Sequence, residues 1–344
     1  MDAFARRLLD WYDRHGRHDL PWQHPRTAYR VWISEVMLQQ TRVATVIPYF
    51  GRFVDALPDL GALAAADEDK VLSLWSGLGY YRRARHLHAA AKLCVVRHAG
   101  QLPRDFEALA ALPGIGRSTA GAILALAHDQ RHPILDGNVK RVLCRYHGVR
   151  GWSGERVVGN ALWAHAERHT PTARIADYTQ AIMDLGATVC TRGAPDCERC
   201  PQRRGCAASR QQLAAALPTP RPTRALPDRQ TVWIVLRDHD GRVLLQRRSP
   251  EGVWPCLWSL PEAADEAAAD ALAARLAELG GNVGASLQQV RHAFTHFRLT
   301  ATPRTWRDVH AHGAIADDAR SRWCSREDFV TLGIPAPVRR LLET

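Results

Sequence analysis

At 344 residues the chain exceeds the size at which one hydrophobic core usually stops growing, so two domains are expected. Its 46% hydrophobic and 24% charged residues are ordinary for a soluble globular protein, and no run approaches the roughly 18 apolar residues needed to cross a bilayer. A net charge of +11 favours a polyanionic partner, nucleic acid ahead of an anionic membrane surface.

The first stretch, MDAFARRLLDWYDRHGR, carries charge throughout and lacks an apolar signal core, so the chain is expected in the cytoplasm. From residue 1 to about 206, apolar residues recur at three and four, which predicts an all-helical domain. Within it, VWISEVMLQQTRVATV sets Glu35 among Val31, Trp32, Ile33, Val36, Met37 and Leu38, then turns polar at Gln39. A carboxyl in such surroundings holds its proton, because desolvation disfavours the ionised form. The alternative is a helix-surface acid of ordinary affinity. DEDKVLSLWSGLGYYRRARHLHAAAKLCVV predicts two helices joined at Gly77–Gly79.

FEALAALPGIGRSTAGAILALAH predicts a second helix pair, broken by Pro113-Gly114 and Gly116. The glycines permit a tight turn and leave N–H groups of residues 114–118 at the amino end of the next helix, where an anion is favoured. This is the form of a helix–hairpin–helix, which grips a DNA phosphate without reading bases, though such a junction is also found as plain architecture. PILDGNVKRVL then places Asp136 before a helix, where capping alone would explain it. If Asp136 and Glu35 face one site, they divide the work of glycosidic cleavage. One acid protonates the departing base and one anion supports the oxocarbenium-like sugar. Asp136, near Asn138 and Lys140, is expected to stay ionised.

Four of the eight cysteines, Cys190, Cys197, Cys200 and Cys206, fall within seventeen residues as C-x6-C-x2-C-x5-C. Soft thiolates at this density point to a metal site in a reducing compartment, and the spacing leaves zinc and an iron–sulfur cluster open. Composition then shifts. ALPTPRPTRALPD (216–228) holds four prolines and reads as an extended linker. TVWIVLRDHDGRVLLQRR predicts a hairpin around Asp240-Gly241, EAADEAAADALAARLAELGG a helix closed by Gly280, and QQVRHAFTHFRLTATPRTW a return to strand. The second domain is therefore expected to be α+β.

Together, SEVMLQQT, GLGYYRRAR, LPGIGRSTAGAI, ILDGNVKR, DLGATVC and the cysteine loop resemble the MutY-type adenine DNA glycosylases of the helix–hairpin–helix superfamily, over nearly the whole chain. The resemblance implies a multidomain fold: an all-α helix–hairpin–helix glycosylase domain over 1–206, with the hairpin near 106–127 and a 4Fe–4S loop at 190–206. A proline-rich linker over 207–229 and an α+β Nudix-like 8-oxoguanine recognition domain over 230–344 would follow. It implies base excision repair in a bacterial, nucleoid-associated monomer that releases adenine opposite 8-oxoguanine or guanine in double-stranded DNA. Glu35 would protonate adenine, Asp136 would stabilise the sugar cation and Asn138 would orient them. Trp22 and Gln180 would form the adenine pocket. Gln39 and Tyr80 would wedge the base stack around the extruded nucleotide, whose flipping costs a few kcal/mol. Gly114, Gly116 and Ser118 would meet DNA at the hairpin, and Cys190, Cys197, Cys200 and Cys206 would hold the cluster.

Endonuclease III-type relatives carry a lysine nucleophile where this chain has Ser118, and a hydroxyl cannot form an imine, so release of the base without strand cleavage is expected. Phe294, Thr295 and His296 resemble the family's Phe-Ser-His recognition loop, with threonine for serine. In GVWPCLWSLPE, Cys256 stands where the family usually has glycine. LPEAADEAAADALAARLAELGG lacks the acid pattern of a metal-dependent Nudix hydrolase, so this domain is read as recognising without catalysing.

Overall fold

The computed structural model describes residues 1–223, 225–281, 283–311 and 320–343. It divides into two compact units, residues 1–65 with 86–223, and residues 66–85 with 224–344. The helices in chain order are α1 (Ala3–His15), α2 (Ala28–Leu38), α3 (Val43–Ala56), α4 (Leu60–Ala65), α5 (Glu68–Leu74), α6 (Arg82–Arg97) and α7 (Phe106–Ala110). They continue as α8 (Arg117–His128), α9 (Gly137–His147), α10 (Arg156–His169), α11 (Ile175–Asp184) and α12 (Ala207–Arg210). No described helix is long and apolar enough to cross a membrane.

Helix α2 starts at Thr27, whose hydroxyl accepts a hydrogen bond from the Arg30 N–H at 3.2 Å. Its apolar run buries Val31, Trp32, Ile33, Val36 and Met37, and the helix packs against α8. Helices α7 and α8 form the expected hairpin. Gly114 in the turn has φ +78°, and a Cβ there would come within 2.8 Å of the His86 Cβ, so both conformation and space require glycine. A single wide helical turn, Leu185–Val189, follows α11 and delivers Cys190. Gly186 within it lies against Asn138, where an added Cβ would approach to 2.5 Å.

The stretch after Cys206 does not leave the first unit at once. Leu217 is buried, its carbonyl accepts from Arg145 Nε at 2.7 Å, and the first unit continues to Thr223.

In the second unit, β1 (Asp228–Asp238) and β2 (Val243–Arg247) form the expected antiparallel hairpin, with Gly241 at φ +76°. Short strands β3 (Trp258–Ser259) and β4 (Glu262–Ala263) pair with β2 and β1. Helix α13 (Glu266–Leu276) packs on Val232, Ile234, Leu236 and Trp306. The helix was expected to run to Gly280 but stops at Leu276. Ala277–Glu278 form β5 and pair with β8 (Arg298–Ala311), and the sheet ladder outcompetes another helical turn. β6 (Ala285–Ser286) and β7 (Val290–Ala293) also pair antiparallel with β8, which runs parallel to β1 in a mixed sheet. β9 (Ser321–Cys324) pairs with β2. Residues 66–85, helical in the sequence reading and grouped there with the helical domain, belong to this second unit.

Candidate active site

Glu35 lies on α2 and Asp136 caps α9. The link between them runs through α8: its Ser118 Oγ accepts from the Leu135 N–H at 2.9 Å and so fixes the segment that leads into Asp136. Glu35 is only half-buried as a residue, yet its carboxyl is so closely surrounded by protein that burial raises its pKa to about 8. The negative charge of Asp136 is the second cause, which places the two carboxyls within electrostatic reach of one another.

Asp136 is the N-cap of α9, with one carboxylate oxygen left over for a second partner. Its Oδ1 accepts the Val139 N–H at 2.8 Å, an N-cap, and its Oδ2 accepts from Asn138 Nδ2 at 3.2 Å. Burial pushes the Asp136 pKa upward from the ordinary aspartate value. Hydrogen bonds from Val139 and Asn138, and the Arg141 charge, pull the other way without offsetting it. Donors nevertheless stabilise Asp136 as an anion, while burial and the Asp136 charge both favour the proton on Glu35.

Sequence reasoning missed Arg141. Its Nη2 donates to Asn138 Oδ1 at 2.8 Å and to the Gly186 carbonyl at 2.6 Å, and its Nε donates to the Cys190 carbonyl at 2.6 Å. One guanidinium thus ties the cysteine loop to the amide that holds Asp136. The signal was a cation one helical turn after Asn138.

Of the pocket candidates, Trp22 is buried with its ring edge-on to Phe50 at 5.5 Å. Gln180 is buried too, and its Nε2 donates to Asp184 Oδ1 at 2.8 Å. Asp184 in turn accepts from Arg17 at 2.6 Å. Gln39 ends α2, half-buried, beside Gln40 at φ +61°. Gly116 caps α8.

The four loop cysteines line one cavity, together with Arg145 and Arg203, and none is in a disulfide. Arg145 Nη1 donates to Cys190 Sγ at 3.3 Å. Burial first, then the charges of the neighbouring thiols, pushes Cys200 up to about 12. Burial there favours the neutral thiol, so a Cys200 thiolate would form only against a bound cation, and the soft four-sulfur donor set fits iron or zinc. Among the described residues no three His, Cys, Asp or Glu side chains are placed to hold a metal ion.

In the second unit, Tyr80 stands half exposed at φ +51°. Phe294–Phe297 is not continuous strand but the tip between β7 and β8, closed by the Phe294 N–H donating to the Phe297 carbonyl at 2.9 Å. Phe294 and Phe297 stack at 4.5 Å, Phe297 is buried, and Thr295 and His296 are exposed at the tip. Cys256 has φ +62°, which explains why a glycine is usual there. The acids of the Nudix-like helix region are engaged elsewhere: Glu262 with Arg248, Glu266 and Asp270 with Arg304, and Asp265 as the cap of α13.

Residues 33–168 match the HhH-GPD superfamily of base excision DNA repair proteins, and residues 232–344 match the NUDIX domain. The chain is 35% identical over 340 residues to an adenine DNA glycosylase of Buchnera aphidicola from Acyrthosiphon pisum, covering 99% of this chain and 97% of that protein. It is 33% identical to the Homo sapiens adenine DNA glycosylase, covering 99% and 73%. Among solved structures, a thermostable thymine-DNA glycosylase aligns with a TM-score of 0.55 at 27% identity, covering 60% of this chain and 95% of that one.

Proposed function

We propose that this chain, which belongs to the adenine DNA glycosylases of the HhH-GPD superfamily, hydrolyses the N-glycosidic bond of adenine opposite 8-oxoguanine or guanine and leaves an abasic site. One observation carries the reading: a carboxyl held protonated to about pH 8 beside a second carboxyl supplied with donors. Glu35 gives its proton to a ring nitrogen of adenine, which turns the base into a neutral leaving group. Asp136 faces the sugar as its positive charge develops, and water completes the hydrolysis. Asn138, itself gripped by Arg141, sets the orientation of Asp136.

The adenine must leave the stack to reach these groups. Gln39 and Tyr80 are assigned to the gap it leaves, Trp22 and Gln180 to the pocket it enters. Gly114, Gly116 and Ser118 lie at the hairpin that takes a backbone phosphate. Thr295 and His296 meet the opposite base, with Phe294 and the stacked Phe297 as their platform. Double-stranded DNA is thus the partner, and the basic surface supplies affinity that weakens with salt. Cys190, Cys197, Cys200 and Cys206 would hold a 4Fe–4S cluster. The soft four-sulfur donor set fits such a cluster. A cluster held there would stiffen the loop whose Cys190 carbonyl accepts from Arg141.

Ser118 has no amine and its hydroxyl already accepts the Leu135 N–H, so no covalent lyase step is available at this position. The test uses duplexes that differ only in the base opposite adenine, with free adenine and strand breaks measured separately. Adenine release with strand breaks appearing only after alkali or heat is expected. Breaks that keep pace with adenine release at neutral pH would remove the monofunctional reading.

A further inference from the structure

The wedge assigned to Tyr80 lies on a segment held by the unit that carries the recognition loop. Residues 66–85 anchor there through two acids at the start of α5. Glu68 Oε2 accepts from Arg247 Nη2 at 2.8 Å, and Glu68 Oε1 accepts from Arg85 Nε at 3.3 Å. Asp69 Oδ2 accepts from Trp258 Nε1 at 3.3 Å, while Arg247 Nη2 stands 3.5 Å from Asp69 Oδ1. Arg247 on β2 and Trp258 on β3 are direct cross-strand partners, so one rung of the sheet holds both acids.

The far end of the segment is anchored as well. Ser76 Oγ and Tyr81 OH both donate to the Ile334 carbonyl at 3.2 Å, and the Gly77 N–H donates to Tyr81 OH at 3.2 Å. Gly333 sits so close to Leu72 that a Cβ would approach to 2.7 Å. Between these anchors the backbone takes positive φ three times, at Gly77, Gly79 and Tyr80. A tyrosine in that region is held there against its own preference. Trp75 Nε1 and Arg83 Nη2 both donate to the Gly79 carbonyl, at 3.1 and 3.2 Å. The Arg83 guanidinium lies over the Trp75 and Tyr80 rings at 5.4 and 5.5 Å from their centroids. The ring is therefore fixed at its base and exposed at its tip.

We infer that Arg247, through Glu68 and Asp69, is a positioning residue that couples the opposite-strand recognition unit to the insertion of Tyr80, and so sets discrimination by the base opposite adenine. This rests on the reading of Tyr80 as the wedge. A body that carries both the 294–297 tip and the wedge delivers them together, so a fit at one is felt at the other. The Arg247 guanidinium meets Glu68 and Asp69. It acts only by where it holds α5.

The test is a double-mutant cycle on single-turnover adenine release, with adenine opposite 8-oxoguanine and opposite guanine. Arg247→Ala is expected to slow the 8-oxoguanine duplex about tenfold and the guanine duplex no more than about twofold, within the usual span of coupling between sites. Tyr80→Ala slows the same duplex. In the Tyr80→Ala background, Arg247→Ala then adds less than about twofold, because its effect passes through the missing ring. Trp258→Phe, which removes the donor to Asp69 and keeps a buried ring, moves discrimination the same way by about threefold and decides the matter if Arg247→Ala folds poorly. A full Arg247→Ala effect without Tyr80, or no effect of Arg247→Ala and Trp258→Phe while Tyr80→Ala slows release, overturns the coupling and leaves the glycosylase reading intact. No adenine release from either duplex by the unaltered protein overturns the glycosylase reading itself.

Discussion

The carboxyl pair of the helical unit and the 294–297 tip of the sheet unit use water in opposite ways. Glu35 and Asp136 are largely screened from it, and burial is what lets Glu35 keep a proton near neutrality. Thr295 and His296 stay exposed on a turn braced by the stacked Phe294 and the buried Phe297. Chemistry that depends on a shifted proton needs a dry site before the substrate arrives. Recognition of a base edge needs donors and acceptors that remain solvated until that edge replaces the water, on a scaffold that loses little freedom when it does. The two sites accordingly differ in what damages them: a change of charge in the first, a change of shape in the second.

The largest expected effect is at the dry site. Glu35→Gln should slow adenine release by about a hundredfold to ten-thousandfold in single-turnover assays, the usual contribution of a positioned acid, with DNA affinity retained. Unchanged release would remove Glu35 from its role. The same substitution should stabilise the fold. The folded chain holds the Glu35 proton up to about pH 8, whereas an ordinary glutamate loses it near 4.5. Between these values the folded state binds more protons than the unfolded one, so stability falls as pH rises. Glu35→Gln should therefore unfold at higher denaturant than the parent at pH 8, by on the order of a few kcal/mol, and the gap should close near pH 4.5. Activity should likewise fall as pH rises through about 8, and a basic limb absent from the rate profile would break the comparison at its centre.

Next in size is the cysteine loop. Cys200→Ala should abolish visible absorption and bound iron, and lower the unfolding midpoint by about 10 °C, because metal binding is folding energy for such loops. Adenine release should fall with it, through the Arg141 contact to Asn138. Zinc in place of iron would redirect the assignment of the cofactor.

At the exposed tip the effects are smaller. Thr295→Ala should reduce the preference for 8-oxoguanine over guanine about threefold, the worth of one neutral hydrogen bond, with the pH profile unmoved. A shifted profile would mean that the two sites are not separable. Smallest of all, Cys256→Gly should raise stability by about half a kcal/mol, since glycine adopts the local φ of +62° without strain while losing a small buried side chain.

Much of this was legible in the chain itself. Apolar spacing gave the helical domain, Asp240-Gly241 gave the β1–β2 hairpin, and the isolation of Glu35 in an apolar run gave the direction of its proton affinity. Each depends on neighbours in sequence, where period and turn chemistry act locally. The end of α13 was misplaced because β8, some thirty residues further on, captured Ala277–Glu278. The upward shift of Asp136 escaped notice because its donors are sequence-local and its burial is not.

The sequence by itself determined which groups could do chemistry: an acid in apolar surroundings, an aspartate at a helix start, four thiols in one loop, and a serine where a nucleophilic amine would be needed. Tertiary structure alone decided that the first two feel each other's charge, that Arg141 joins the cysteine loop to Asn138, and that residues 66–85 belong with the sheet. Proton affinity and ion pairing depend on distances between residues far apart along the chain, and only packing fixes those distances.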